Sequence, residues 1–316
     1  MVADLSVELA GLRLKNPILS ASGTFGHGLE MRFVVPPSAV GGLVSKTVTR
    51  LPRPGNPMPR IAETEGGFLN SIGLENRGIR AYVEKTLLEV AGADTVIITN
   101  IGGHSAAEFA ELAAILDGRP EVHALEVNLS CPNVDGGKLP FSTDPAVAEA
   151  VIRGVREATR KPLFAKLSPN VTRIEDIAVA VEAGGADAIT AVNTVLGVAI
   201  DWRTRKPRLN TIVGGYSGAA IKPIALRCAL ACATAVKIPV IGCGGISTAS
   251  DVLEFLVAGC TAVQVGTASF AEPGRLAALA EELEALLDGA GIGAARDLIG
   301  TLDRAPRTPL RPAGEY

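Results

Sequence analysis

The sequence has little of what a nucleic-acid-binding protein needs. Aromatic residues make up 4% of its 316 residues, and 30 Lys and Arg are balanced by 33 Asp and Glu, for a formal net charge of −3. Binding to nucleic acid relies on a basic surface that neutralises phosphates and on aromatic rings that stack on bases. We therefore expect no nucleic-acid partner.

Cysteine is also scarce, and it is scattered. The five cysteines are Cys131, Cys228, Cys232, Cys243 and Cys260. An odd number at such spacings does not indicate a disulfide framework. Cys228 and Cys232 lie one helical turn apart, which favours core packing, and Cys243 and Cys260 complete no metal-ligand cluster with them. We expect free thiols and no bound metal.

Long apolar runs are missing as well. No stretch reaches the roughly 18 apolar residues that a transmembrane helix needs. The N-terminus has neither the basic nor the apolar region of a signal peptide. We expect a reduced, cytoplasmic protein with no membrane partner.

What the sequence does have is a regular alternation of two patterns. Hydrophobic residues make up 47% of the chain, enough for a large core. Short apolar runs alternate with amphipathic segments of helical length, which is typical of parallel strands joined by helices. The runs are Pro17–Ala21, Gly42–Ser45, Thr95–Thr99, Ala124–Val127, Leu163–Ala165, Ala188–Val192, Pro239–Gly242 and Ala262–Val265. The helical segments include Ile79–Val90, Ala106–Leu116, Pro145–Thr159, Ile174–Ala183, Ile224–Val236 and Ala249–Ala258.

Each apolar run is followed by a polar residue or a glycine. These residues are Ser22, Lys46, Asn100, Asn128, Lys166, Asn193, Gly244 and Gly266. In a closed barrel the carboxyl ends of all strands meet at one rim, where active sites are built. We predict an α/β fold, a (β/α)8 TIM barrel in a single domain over residues 1–316. A doubly wound open sheet is the alternative, because it uses similar turns from helix to strand.

Two features decorate the predicted barrel. Leu5–Leu14 alternates apolar and polar residues and predicts an N-terminal β-hairpin, with a frayed arm as the alternative. Long connections at 47–76 and 194–217 predict inserted active-site loops, because long connections in a compact domain usually serve binding.

Glycines and lysines at the predicted rim suggest where ligands bind. Gly242-Cys-Gly-Gly and Gly266-Thr lie at the ends of the last two runs, where barrels commonly bind phosphate. The alternative is that these glycines only form turns. Lys46 and Lys166 could each pair with an anionic substrate or a reduced flavin, or one could form a Schiff base.

Two further segments carry side chains that could do chemistry. Cys131 follows the fourth run in Asn128-Leu-Ser-Cys-Pro-Asn, where a thiol could act as base or nucleophile or could be inert packing. Asn70-Ser-Ile-Gly-Leu-Glu-Asn offers amides that suit a ring bearing carbonyl and N–H groups, or is simply a turn-rich loop.

Taken together, these segments resemble dihydroorotate dehydrogenase. The match runs in order from about residue 4 to residue 300. It is carried by Ala21-Ser-Gly-Thr-Phe-Gly, Ser45-Lys-Thr, Asn70-Ser-Ile-Gly-Leu, Val127-Asn-Leu-Ser-Cys-Pro-Asn-Val, Ala165-Lys-Leu-Ser-Pro, Ala191-Val-Asn-Thr, Ser217-Gly, Gly242-Cys-Gly-Gly-Ile and Val265-Gly-Thr-Ala. Glu75, Ala219 and Ser269 depart from the residues most frequent in the family, which are Gln, Pro and Asn.

The resemblance implies a type within that family. Cys at the base position resembles the soluble branch, and Asn16-Pro-Ile-Leu-Ser and Ala220-Ile-Lys-Pro look closest to the NAD-linked type. That type implies one FMN per chain and a separate electron-transfer subunit carrying FAD and a [2Fe-2S] cluster. It also implies a homodimer at the core of a heterotetramer. The alternatives are a fumarate-linked homodimer, a flavin barrel that reduces pyrimidines or uridine in RNA, a subunit that only stores or presents a flavin, and a Schiff-base aldolase using Lys166.

The resemblance also implies the roles of individual residues in oxidising dihydroorotate to orotate. Cys131 is expected to take the C5 proton, Lys166 to stabilise reduced FMN, and Lys46 to touch both flavin and substrate. The substrate is expected to contact Lys46, Asn70, Ser71, Ile72, Gly73, Leu74, Asn128, Asn193 and Thr194. The FMN is expected to contact Ser22, Lys46, Thr47, Asn100, Asn128, Lys166, Val192, Gly218, Gly244, Gly245, Gly266 and Thr267.

Overall fold

The structure is a computed structural model that describes residues 2–130 and 141–305. Its strands are, in chain order, β1 (Val7–Leu9), β2 (Leu12–Leu14), β3 (Ile18–Ser20), β4 (Gly42–Val44), β5 (Ile61–Thr64), β6 (Gly67–Asn70), β7 (Val96–Ile101), β8 (Ala124–Asn128), β9 (Leu163–Leu167), β10 (Ala188–Ala191), β11 (Val195–Val198), β12 (Ile200–Asp201), β13 (Lys206–Pro207), β14 (Val213–Ser217), β15 (Val240–Cys243) and β16 (Cys260–Val265).

Eight of these strands close into a barrel. The order around the barrel is β3-β4-β7-β8-β9-β10-β15-β16, and β16 pairs back to β3. All neighbouring pairs are parallel. The eight apolar runs predicted these strands to within two residues at each end. The closed barrel is confirmed, and the open sheet is wrong.

Helices connect the barrel strands and cover the barrel from outside. They are α1 (Gly78–Ala81), α2 (Leu87–Val90), α3 (Ala106–Asp117), α4 (Pro145–Ala158), α5 (Ile174–Ala183), α6 (Lys222–Ala235), α7 (Ala249–Val257), α8 (Ala268–Ala271) and α9 (Arg275–Gly289). A π-helical turn, Tyr82–Thr86, joins α1 to α2 within the predicted helix 79–90. Several helices begin after a polar residue whose side chain accepts a hydrogen bond from the first turn. In α7, for example, the Thr248 side chain accepts from the backbone N–H of Asp251, and the Asp251 carboxylate accepts in return from Thr248.

The N-terminal hairpin closes one end of the barrel. β1 pairs antiparallel with β2, which confirms the predicted hairpin and excludes the frayed arm. Its inward side chains join a buried cluster to which every barrel strand contributes one residue. The cluster contains Val7, Leu9, Leu14, Leu19, Val44, Ile98, Ala124, Phe164, Ala188, Ile241 and Ala262. This apolar layer fills the amino-terminal end of the barrel, so any ligand site must lie at the opposite end.

The two long insertions form one sheet at that opposite end. β5 and β6 come from the first insertion, and β11 and β14 come from the second. They pair antiparallel in the order β11-β14-β6-β5, and Gly215 is opposite Asn70. The predicted inserted loops are therefore present, but each contributes two strands to this sheet and is not irregular throughout. In the described part of the chain, no helix is long and apolar enough to cross a membrane.

Candidate active site

The predicted rim residues lie at the carboxyl-terminal end of the barrel, with two corrections. Asn128 is the last residue of β8, and Gly244 and Gly266 directly follow β15 and β16. Asn100 and Lys166, however, lie inside β7 and β9 rather than after them. Strand alternation points them into the barrel, two residues beyond Ile98 and Phe164 of the apolar layer.

A second interior layer therefore sits directly above the apolar one, and it is polar. Its centre is the Glu126 carboxylate, which is fully buried. Asn100 Nδ2 donates to Glu126 Oε1 at 2.7 Å, and Thr190 Oγ1 donates to Oε2 at 2.7 Å. Gln264 Nε2 also donates to Oε2. Every one of these neighbours is a donor, which suits an ionised carboxylate because it can only accept.

Lys166 completes this buried layer. Its Nζ donates to Gln264 Oε1 at 2.8 Å and lies 3.9 Å from Glu126 Oε1. Burial opposes the charge on Lys166, but Cys243 and Glu126 raise the pKa of Lys166 above its usual value. Burial also raises the pKa of Cys243, so that group is a neutral thiol near pH 7. The groups that surround the Lys166 ammonium are thus the Gln264 oxygen that accepts from it and the Glu126 carboxylate 3.9 Å away.

Lys46 has a different environment. Its backbone N–H donates to the Gly26 carbonyl at 2.8 Å, while no hydrogen bond or ion pair among the described residues holds its ammonium group. Burial lowers the pKa of Lys46, with Glu75 opposing and Arg60 adding to that shift. The side chain lines a cavity of about 830 Å³ together with His27, Tyr82 and others. The other residues predicted to bind ligands do not line that cavity, so Lys46 stands between it and the barrel rim.

The segment predicted to hold substrate is anchored to the second insertion. Asn70 Nδ2 donates to the Gly215 carbonyl at 3.2 Å. Across the rim, Asn193 Nδ2 lies 3.4 Å from Asn128 Oδ1, and the Thr194 N–H donates to Asn193 Oδ1 at 2.9 Å. The predicted residues Asn128, Asn193 and Thr194 thus come together, although β8 and β10 are separated in the chain.

Asn76 shapes the same segment, although it was not predicted as a site residue. Its Oδ1 accepts from the N–H groups of Thr49 and Gly78, at 3.2 and 2.8 Å. Its Nδ2 donates to Thr49 Oγ1 and to the Leu74 carbonyl, both at 2.7 Å. Gly73 and Leu74 both have positive φ, at 75° and 56°, so the loop bends sharply at the end of the substrate segment.

Hydroxyls and glycines occupy the remaining part of the rim. Ser22 Oγ lies 3.4 Å from Thr47 Oγ1, and Thr267 Oγ1 donates to Ser217 Oγ at 2.8 Å. Gly245 has φ of 76°, and a Cβ there would lie 2.4 Å from the Lys222 nitrogen. That glycine is required by the turn itself, so the turn-glycine interpretation accounts for Gly245 at least in part.

Two predictions about cysteine have different outcomes. Cys228 and Cys232 are buried on α6 and free, which confirms core packing. Residues 2–130 and 141–305 contain no group of His, Cys, Asp or Glu that could hold a metal. Cys131, the predicted base, lies outside the described residues.

Sequence reasoning missed Glu126, Thr190 and Gln264. Each lies two residues after a member of the apolar layer, namely Ala124, Ala188 and Ala262. That spacing places it on the same inner face of its strand. A polar residue at this spacing in an otherwise apolar strand was the signal that could have identified them.

Comparisons with known proteins agree with this architecture. The family model described as dihydroorotate dehydrogenase matches residues 4–287. A protein of Geobacter sulfurreducens, named dihydroorotate dehydrogenase B (NAD(+)), catalytic subunit, is 51% identical over 300 residues, covering 95% of this chain and 98% of its own length. Proteins of the same name from Geotalea uraniireducens and Pelobacter propionicus are 50% and 49% identical, covering 95% and 96% of this chain and 98% and 100% of theirs.

A solved structure shows the same fold. The crystal structure of DHODH in complex with ferulenol, from Eimeria tenella, superposes with a TM-score of 0.79 at 23% identity. It covers 94% of this chain and 88% of that one. At this identity the likeness concerns the fold alone, whereas the family model and the relatives extend over nearly the whole sequence. The chain therefore belongs to the dihydroorotate dehydrogenase family.

Proposed function

We propose that this chain is the FMN-binding catalytic subunit of an NAD-linked dihydroorotate dehydrogenase, which oxidises dihydroorotate to orotate in pyrimidine biosynthesis. The observation that carries the proposal is identity near one half over almost the full length of proteins named as such catalytic subunits. The charged and amide side chains gathered at one barrel rim support it, because these groups suit a flat anionic substrate.

The reaction removes a proton from C5 and a hydride from C6, leaving a C5–C6 double bond. When bound, FMN supplies the hydride acceptor. We assign the proton to Cys131, whose thiolate would act as general base. Lys46, with no partner on its ammonium among the described residues, would pair with the substrate carboxylate.

The substrate segment would hold the ring edges. Asn70, Asn128 and Asn193 can each donate and accept, which matches the carbonyl and N–H groups of a cyclic urea. Thr194 and the backbone of Ser71, Ile72, Gly73 and Leu74 would complete the enclosure. Closure around the substrate would exclude water, which keeps the transferred proton on the thiol.

The residues at the rim fit a flavin. Asn100 Oδ1 is buried without a hydrogen-bond partner, and an N–H of the isoalloxazine ring would satisfy it. Lys166 would place a fixed positive charge beside the flavin. The remaining contacts would come from Ser22, Lys46, Thr47, Asn128, Val192, Gly218, Gly244, Gly245, Gly266 and Thr267.

We further propose two protein partners. The words catalytic subunit and NAD(+) in the names of the relatives support a separate electron-transfer subunit, which would carry FAD and a [2Fe-2S] cluster, over the fumarate-linked alternative. A second copy of this chain would cover the outer face of β11 and β14, where Leu196, Val198 and Val213 are exposed, and the exposed Trp202 four residues after Val198. A Schiff-base aldolase is disfavoured, because Lys166 is held in a charged pair rather than as a free amine.

The test is anaerobic reduction of the bound flavin. The purified chain should be yellow, and dihydroorotate alone should bleach it. Adding NAD should restore the colour only when the electron-transfer subunit is present. A protein that binds FMN but is not bleached by dihydroorotate would exclude the proposed reaction, and reoxidation by fumarate without a partner would exclude the NAD-linked type.

A further inference from the structure

No step of the proposed reaction uses the buried carboxylate of Glu126. It lies at the centre of the barrel, fully buried, two residues above the apolar layer. A buried carboxylate is costly unless it is paired and hydrogen-bonded. All the groups that contact it come from different strands, β7, β9, β10 and β16, so the barrel is built around this one anion.

We propose that Glu126 is a positioning residue that acts through Lys166, holding its ammonium in place and in the charged state beside the flavin. The proposal rests on the proposed function only in taking FMN as the group that Lys166 faces. Glu126 itself would touch neither FMN nor substrate.

The Gln264 amide links Glu126 to Lys166 through two hydrogen bonds. Its nitrogen donates to Glu126 Oε2, and its oxygen accepts from Lys166 Nζ at 2.8 Å. A carboxylate can only accept and an ammonium can only donate, so the two charges allow one orientation of the amide between them. With a neutral amide at position 126, Gln264 could turn over and present its own donors to Lys166, leaving the ammonium without this acceptor.

Glu126 also affects the charge of Lys166. Glu126 from β8 and Cys243 from β15 are the titratable groups that act on Lys166 within the described ranges. The Glu126 carboxylate, 3.9 Å from Lys166 Nζ, and the Gln264 oxygen that accepts from this ammonium together offset the cost of burying it. Without that carboxylate, burial would favour the neutral amine of Lys166.

The test is the midpoint potential of bound FMN as a function of pH, measured with redox dyes in wild type and in Glu126→Gln. In the variant, Lys166 should lose its proton at a lower pH than in wild type, since burial without a counter-ion favours the neutral amine. At pH values below the ionisation of Lys166, the ammonium in the variant has no counter-ion and should favour reduced FMN more than wild type does. At pH values above it, the amine is neutral and should favour reduced FMN less than wild type does. The reduction equilibrium should change at least tenfold across the step, about 30 mV for a two-electron couple.

Two controls separate this role from a merely structural one. Thr190→Val removes a hydrogen bond to the same carboxylate but keeps the charge, so its potential should follow wild type across the pH range. In a Lys166→Met background, Glu126→Gln should add no pH-dependent step, because the residue through which it acts is gone. A step that persists in that background, or a Glu126→Gln protein with the wild-type potential at every pH, would overturn the proposal.

A second variant covers the case in which Glu126→Gln does not fold. Gln264→Leu keeps both charges and removes the bridge together with a 3.4 Å contact to Thr190 Oγ1, so reduction of FMN by dihydroorotate should slow about tenfold without a new ionisation. An unchanged rate would contradict the positioning role. The potentials of wild type, Glu126→Gln and its two controls are measured without dihydroorotate, so they do not depend on the proposed reaction. A wild type that dihydroorotate fails to bleach would refute the reaction and leave the effect of Glu126 on the flavin measurable.

Discussion

Asn70 donates a hydrogen bond to the carbonyl of Gly215, 145 residues later in the chain, and so joins the two insertions above the barrel rim. The two residues are also opposite each other in the β6–β14 pairing. Each insertion contributes residues that we assign to the substrate, Asn70 from the first and Thr194 from the second. The sheet that links them therefore fixes the distance between two sides of the proposed substrate site.

Gly215→Ala should weaken substrate binding through this sheet. A Cβ at Gly215 would lie 2.1 Å from Thr194 Oγ1 and 2.7 Å from Thr194 Cβ, so Thr194 must move. We expect KM for dihydroorotate to rise about tenfold, because displacements of the order of an ångström in binding groups have effects of this size or larger. Steady-state kinetics with an artificial electron acceptor would measure it.

Gly197→Ala is the matched control in the same sheet. Its Cβ would lie 3.0 Å from the end of the Leu69 side chain, which can shift, and 3.5 Å from Tyr216 Cβ, which is an ordinary contact. KM should stay near the wild-type value. A Gly215→Ala protein that is folded and has unchanged KM would show that Thr194 does not hold the substrate.

Cys131→Ala should retain FMN and lose most turnover near neutral pH. Removing a general base commonly slows a reaction by about 10²- to 10⁴-fold. Stopped-flow bleaching of the flavin by dihydroorotate under anaerobic conditions measures the step directly. Cys228→Ala, on the buried face of α6, is the control for loss of a thiol elsewhere and should bleach at the wild-type rate. Bleaching of Cys131→Ala within a few-fold of wild type would remove this residue from the base role.

Asp251 should make stability depend on acid pH. Burial opposes its charge, but hydrogen bonds from Lys222 and from the N–H groups of Ser247 and Thr248 lower the pKa of Asp251 to about 2. A carboxyl group whose pKa is lowered by folding stabilises the protein above its unfolded pKa, near 4, and loses that contribution as the pH falls towards 2. Two pKa units correspond to about 2 to 3 kcal/mol.

Asp251→Asn should therefore reduce the free energy of unfolding by about 1–2 kcal/mol near pH 7, somewhat less than the full amount because an amide oxygen at this position can still accept from the Thr248 N–H. The difference from wild type should shrink as the pH falls below about 4. Urea unfolding between neutral and acid pH measures both quantities. Asp288→Asn, exposed on α9, should follow wild type throughout. A deficit for Asp251→Asn that does not change with pH would contradict the assignment.

The sequence predicted the barrel better than it predicted the barrel's contents. Short apolar runs identify parallel strands because such strands are buried on both faces. The pairing of the insertions could not be read in this way, since Asn70 and Gly215 lie so far apart in the chain. Glu126 and Gln264, 138 residues apart, form part of one buried network that only the closed barrel brings together. Asn100 and Lys166 were placed at strand ends because a polar residue in an apolar run suggests its end, whereas here it faces a polar interior layer.

The sheet formed by β11, β14, β6 and β5 has an exposed apolar face. Val198 of β11 is opposite Val213 of β14, and Leu196 lies two residues before Val198, so all three side chains point to the same exposed face. Trp202 is nearby in sequence and 74% exposed. Apolar surface of this kind favours burial against a partner, and the proposed partner is a second copy of the chain.

Replacing Leu196 and Val198 by Lys should weaken the dimer at least 100-fold, about 3 kcal/mol. Analytical ultracentrifugation over a concentration series measures the dissociation constant of the dimer. Leu88→Lys, at an exposed position of α2, is the control that should keep the wild-type dissociation constant. FMN content should remain the same in all three proteins, because neither replaced surface is assigned to the cofactor. A wild type that sediments as a monomer, or a double variant that dimerises as tightly as wild type, would show that this face serves another purpose.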